Sequence, residues 1–273
     1  MRGARWLTVA VLLGLAALLR SPASGGAEPP AVALDTATDA APLPTHPPVT
    51  PPNYQLLDAG SDRPIRVLPA AHPSRRVLIY LHGYCGDVNA TGAFVPAAAE
   101  HGTLIALLGD LPCKDKPGRF KWTGDTHGLD QRIQRAIRLV NRADKLDLDP
   151  HDVTLFGYSQ GAVRAEALAR FYGKRYPRVI LGGPPRRPKA EHFKHARAIA
   201  VFGGELEDIH DMLGGADDLS AAGSAVRFFL LPRVTHGDFG GELAGNEALS
   251  EILTFVSDPT PAPPREEPTK VAQ

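Results

Sequence analysis

Short β-branched and apolar runs, separated by polar stretches of helical period, constrain this chain more than anything else in it. "VLIYL" at 77–81, "TLIALL" at 103–108, "VRFFLL" at 226–231 and the runs at 153–156, 179–181 and 199–202 are apolar without alternation. Strands of that kind bury both faces. Weaker runs at 54–57 and 65–68 precede them. Between the runs, Ile133, Ile137 and Val140 mark one helix face and Val163, Ala167 and Phe171 another, with Leu249, Ile252 and Phe255 or Val256 marking a last one. Alternation of this sort predicts an α/β fold, a mostly parallel sheet of about eight strands or slightly fewer with helices on both faces. Nucleotide-binding folds share the pattern, so it names no function.

The ends of the chain read differently. Arg2 and Arg5 precede an apolar run from Trp6 to Leu19, followed by Arg20 and small residues through Ala27. That order predicts a secretory signal peptide over 1–27 and hence a secreted or periplasmic protein; the alternative is an uncleaved anchor, for which the run is short. Residues 28–53 are rich in Ala, Thr and Pro and read as an extended linker, and 258–273 as a similar tail. The folded domain is therefore expected over 54–257, with no membrane span once the leader is cleaved. The 30 basic and 30 acidic residues cancel. Nothing in that balance favours nucleic acid or an anionic membrane as partner, and a small or neutral ligand is expected.

One run carries chemistry. "VTLFGYSQGAVRAEAL" places Gly157-Tyr158-Ser159-Gln160-Gly161 between a strand and a helix-period segment. A GxSxG there marks a serine nucleophile on a sharp bend, with Gly157 and Gly161 giving the close approach of strand and helix. The competing reading is a helix N-cap serine between loop glycines. A serine nucleophile needs a base and a group that orients the base, in the chain order Ser, acid, His. His236 follows the last strand and is the expected base. Glu205, Glu207, Asp208 and Asp211 follow the strand at 199–202; Glu207, three residues past Gly204, is favoured as the acid, with Asp208 the alternative. The backbone N–H groups of Gln160 and of Tyr84, after the His82-Gly83 turn, are the expected oxyanion donors, with His82 orienting the turn.

Leu81-His82-Gly83 with Gly86-Asp87, together with Gly157-Tyr158-Ser159-Gln160-Gly161, resembles the LHGxGD and GFSQG signatures of the phospholipase/carboxylesterase and acyl-protein thioesterase group of α/β-hydrolases. Dienelactone hydrolases and feruloyl-type esterases are neighbours of that group. The chain departs from the signature by one extra residue, Cys85, and by Glu where the group carries Asp. The resemblance spans 54–257 and implies an α/β-hydrolase fold. In that fold the strands at 77–81 and 103–108 are adjacent, so the loops bearing Cys85 and Cys113 could meet. In an exported protein the two thiols are expected to oxidise, and a bridge of that loop size stabilises by about 3.5 kcal/mol in the chain-entropy picture.

The short connection "GGPPRRPKAEHFKHAR" after the strand at 179–181 leaves no room for a large lid, implying an open site. Trp122 is expected to overhang the cleft as a substrate wall, with a place at the core edge as the alternative. His192 and His195 read as a surface pair without a metal. The expectation is an exported, cofactor-free serine hydrolase of small esters or thioesters. The alternatives are a peptidase or acyltransferase with the same triad, and an inactive binding protein on the same scaffold.

Overall fold

The computed structural model describes residues 54–259 apart from 89–90, 92–94 and 238–241. The proposed leader at 1–27, the linker at 28–53 and the tail beyond 259 lie outside the described residues. Every run singled out as a strand forms one. In chain order they are β1 (Gln55–Leu57), β2 (Ile65–Leu68), β3 (Val77–Leu81), β4 (Thr103–Leu107), the two-residue β5 (Leu111–Pro112) and β6 (Phe120–Lys121), β7 (Val153–Tyr158), β8 (Arg178–Gly182), β9 (Ala198–Gly204) and β10 (Val226–Leu231). The helices are α1 (Val95–His101), α2 (Thr126–Asp144), α3 (Gln160–Tyr172), α4 (His210–Ala221) and α5 (Glu242–Ser257).

The main sheet has eight strands in the order β1-β2-β4-β3-β7-β8-β9-β10. From β4 to β10 all pairings are parallel; β2 runs antiparallel to both β1 and β4. The unbroken apolar runs divide between two cores, as both-face burial requires. Val153 and Leu155 of β7 pack with Ile133 and Ile137 of α2 and with α3 and α4 on one side. Phe156 and Tyr158 pack with Leu249 and Ile252 of α5 and with α1 on the other.

Two details differ from the sequence reading. The buried side of α3 is not Val163, Ala167 and Phe171; it is Ala162, Ala165, Leu168 and Ala169, while Phe171 is 62% exposed. Alanines let the helix settle close to the sheet, and a hydrophobicity stripe built on larger residues overlooks them. The β5–β6 hairpin is the second difference. Its strands are two residues long and lie on the surface, so no periodicity announces them.

Candidate active site

Ser159 sits where β7 ends and α3 begins, at φ 52° and ψ −116°. Non-glycine residues avoid that region at a cost of about 1–3 kcal/mol, and the surrounding structure must hold it. The Ser159 N–H donates to Gly182 O at 2.8 Å, tying the bend to β8. A Cβ at Gly157 would overlap the Gly161 carbonyl, and one at Gly161 would overlap the Leu81 carbonyl, so both flanking positions need glycine. The serine side chain makes no capping bond to α3, which excludes the N-cap alternative.

The hydroxyl instead meets His236. Ser159 Oγ lies 3.1 Å from His236 Nε2, and His236 Nδ1 lies 2.7 Å from Glu207 Oε2. A carboxylate only accepts, so Nδ1 carries the imidazole proton and the Nε2 lone pair faces the serine hydroxyl. Glu207 Oε1 accepts the Gly204 N–H at 2.6 Å, which fixes the carboxylate to the end of β9. Its side chain is 10% exposed, against 46% for His236. The other acids of the cluster are employed elsewhere: Asp208 accepts the His210 N–H at 3.0 Å, and Glu205 accepts the Arg233 N–H at 2.9 Å. Asp208, kept open from the sequence as the alternative acid, is therefore corrected to a local turn cap, and Glu207 is the carboxylate at the imidazole.

Tyr158 was not singled out in the sequence, yet it holds the histidine loop. Its hydroxyl accepts the Gly237 N–H at 2.8 Å, and its ring lies 5.4 Å from the His236 ring. Ser159 and the grip on the His236 loop thus come from neighbouring residues.

A Cβ on Gly83 would stand 3.3 Å from Ser159 Cβ, so the Gly83 backbone borders Ser159. Tyr84 follows with its side chain 64% exposed. Gln160 opens α3, where helix N–H groups lack carbonyls a turn earlier. His82 is fully buried: Nδ1–H donates to Gly83 O at 2.7 Å and Nε2 accepts the Gly109 N–H at 2.9 Å. That arrangement needs the neutral ring, and burial pushes its pKa below the ordinary 6.5.

Trp122 corrects the sequence reading. It is 5% exposed and belongs to the core, so it is no open substrate wall. Its indole N–H donates to His82 O at 2.8 Å. Its own backbone is clamped by the Gln160 side chain, with Trp122 N–H donating to Gln160 Oε1 at 3.0 Å and Gln160 Nε2 donating to Trp122 O at 3.2 Å. Gln160, Trp122 and His82 therefore form a strut from the serine bend to the Gly83 turn. A second brace is covalent. Cys85 and Cys113 form a disulfide, and the adjacent Phe120 N–H donates to Gly86 O at 3.0 Å, which docks the β5–β6 hairpin on the same loop.

His192 is not a surface residue paired with His195. Its side chain is 12% exposed, and Nδ1 lies 2.8 Å from Oε1 of the buried Glu166. Among the described residues no group of three or more His, Cys, Asp or Glu side chains could hold a metal ion.

No protein-family profile and no curated protein matches the chain. Solved structures do. An arylesterase superposes with TM-score 0.57 at 13% identity over 78% of this chain and 87% of its own. The esterase Est2 of the Planctomycetes species Thermogutta terrifontis, solved with butyrate bound, gives 0.52 at 15% identity over 77% and 95%. FphF, a fluorophosphonate-binding serine hydrolase of Staphylococcus aureus, gives 0.54 at 12% identity over 76% and 99%. The chain has the α/β-hydrolase fold. Identities this low carry the architecture alone. In this fold the connection between β8 and β9 spans residues 183–197 and contains the short 3-10 turn Ala190–His192.

Proposed function

We propose that the protein is an exported serine hydrolase that cleaves carboxylic esters or thioesters through an acyl-enzyme. The observation that carries this reading is the relay of 3.1 Å and 2.7 Å from Ser159 through His236 to Glu207, at a bend that aims the serine away from its own helix. In the reaction, His236 Nε2 takes the Ser159 proton as Oγ attacks the carbonyl carbon. The Gln160 and Tyr84 N–H groups receive the developing oxyanion, each such donor stabilising the transition state by about 3 kcal/mol. Collapse expels the alcohol or thiol, which takes the proton from His236. Water then attacks the acyl-serine, its proton passes to His236, and the acid leaves as Ser159 recovers its hydrogen. Glu207 holds the imidazolium throughout. No cofactor enters the scheme. Export is supported by the leader-like start of the chain and by the Cys85–Cys113 disulfide, which belongs to oxidising compartments.

Labelling with a fluorophosphonate probe tests the proposal. Wild type is expected to label and to hydrolyse p-nitrophenyl esters with an initial burst, while folded Ser159→Ala and His236→Ala do neither. A folded, unlabelled wild type would overturn the hydrolase reading and leave a binding protein.

A further inference from the structure

Two arginines that meet the first turns of α3 take no part in the chemistry above. Arg164 lies one helical turn beyond Gln160, on the same stripe of α3. While Gln160 clamps Trp122, Arg164 Nη1 donates to the next carbonyl, Thr123 O, at 2.9 Å. Arg164 Nε is shielded from solvent and has no hydrogen-bond partner. Arg186 comes from the loop after β8, three residues beyond Gly183. Gly183 itself borders the base, since a Cβ there would stand 2.9 Å from His236 Cε1. The Arg186 side chain is 54% exposed and touches Glu166 only at 3.4 Å. The two guanidiniums therefore come from separate elements, one on the nucleophile's helix and one on a loop that touches the base.

The nearby carboxylates are shared with other donors. Both Asp110 carboxylate oxygens accept from Thr123, one from its N–H and one from its hydroxyl. Glu166 Oε1 accepts from His192 Nδ1 and from the Lys189 N–H at 3.1 Å, which leaves only Oε2 to meet Arg186, at a long 3.4 Å. Burial and then the like charge of Arg186 hold the Arg164 pKa below its ordinary value, against the pull of Asp110 and Glu166. A guanidinium that is half buried, short of hydrogen bonds and next to another cation is costly unless an anion shares the space. Planar guanidiniums bind carboxylates and phosphates better than they bind any neutral group.

We propose that Arg164 and Arg186 form an anion subsite beside Ser159, so that the preferred substrates are esters or thioesters bearing a second acidic group a few bonds from the scissile carbonyl. This rests on the hydrolase reading above and names its substrate class. The reach is consistent. The Arg164 backbone is five residues past Ser159, about 7.5 Å along the helix axis, and helical side chains lean back toward the helix start, where Ser159 stands. That suits an acid separated from the reacting carbon by a short chain. The carboxylate could belong to the acyl or to the alcohol half of the substrate, and both halves present the same chemistry to the arginines.

The test uses the full chain after export and two matched substrate pairs. For the acyl half, p-nitrophenyl hydrogen adipate is compared with its neutral methyl ester. For the alcohol half, p-carboxyphenyl butyrate is compared with phenyl butyrate. Wild type is expected to prefer the anionic member of at least one pair by about tenfold in kcat/KM, with the preference shrinking as salt rises. Arg186→Gln is expected to bring the ratio close to one while leaving the neutral member's turnover intact, and Arg164→Lys to reduce it. Arg187→Gln is the control, because that guanidinium already grips Asp218 with two bonds of 2.8 Å. Hydrolysis of both neutral esters with no anionic preference in either pair overturns the subsite and leaves the hydrolase standing. So does a preference that survives Arg186→Gln. Failure on every ester, with no fluorophosphonate label, overturns both readings.

Discussion

Among the described residues, two imidazole–carboxylate pairs have nearly the same length and sit in different surroundings. His236 meets Glu207 at 2.7 Å and His192 meets Glu166 at 2.8 Å. In the first pair the far ring nitrogen faces a serine hydroxyl and the ring is 46% exposed, so a proton can arrive and leave. In the second the ring is 12% exposed, and the carboxylate also accepts from the Lys189 N–H and touches Arg186. That carboxylate pins the loop after β8 to α3. An acid–base pair becomes a catalytic candidate through what stands on its free nitrogen and through its access to solvent; the pair itself is common to both settings.

The sharpest way to break this contrast is to neutralise each carboxylate in turn. Glu207→Gln should lower kcat by about 10³- to 10⁴-fold, because the amide can donate and so favours the wrong histidine tautomer, while the melting temperature changes little. Glu166→Gln should do the reverse: it should retain most of kcat and destabilise by about 1–3 kcal/mol, read as a drop of several degrees in Tm. Equal kinetic losses in the two variants would dissolve the distinction.

Smaller effects test the scaffolding around the first pair. Trp122→Phe keeps the ring but removes the indole N–H from His82 O, and should cut kcat about tenfold with KM unchanged, since the loss falls on the oxyanion turn. A KM effect alone would restore Trp122 as a substrate wall. Reduction of Cys85–Cys113, or Cys113→Ser, should lower stability by about 3 kcal/mol, seen as a shift in the denaturation midpoint. The smallest expected effect concerns pH. Burial lowers the His82 pKa in the folded state, so below the ordinary 6.5 the unfolded chain binds the extra proton and the folded chain does not. Stability present at neutral pH should therefore be lost as pH falls through that window, and Tm measured between about pH 7 and 5 should decline less steeply in His82→Gln.

The strands and the serine bend were legible in the sequence for the same reason. A run buried on both faces has no polar positions to blur it, and a glycine forced by backbone contact cannot be replaced by another residue. His236 and Glu207 could be read because each follows a strand of that unmistakable kind. Other features were not. The α3 packing face is alanine, which stands out neither in hydrophobicity nor in size. Trp122 and Gln160 meet across residues 122–160, and no local pattern encodes a contact between a side-chain amide and a distant backbone. Asp208 and Glu207 differ only in which carboxylate the turn after Gly204 presents to the imidazole, a choice made by Glu207 Oε1 accepting the Gly204 N–H.

The alanine seam of α3 has a bearing on how such a chain can diversify. Ala162, Ala165 and Ala169 set the interval between helix and sheet, and so the height at which the serine stands above the strand ends. Larger side chains there would lift Ser159 out of register with His236. New specificities should therefore arise by drift in the rims at 122–125 and 183–189, while the seam beneath them stays fixed in bulk.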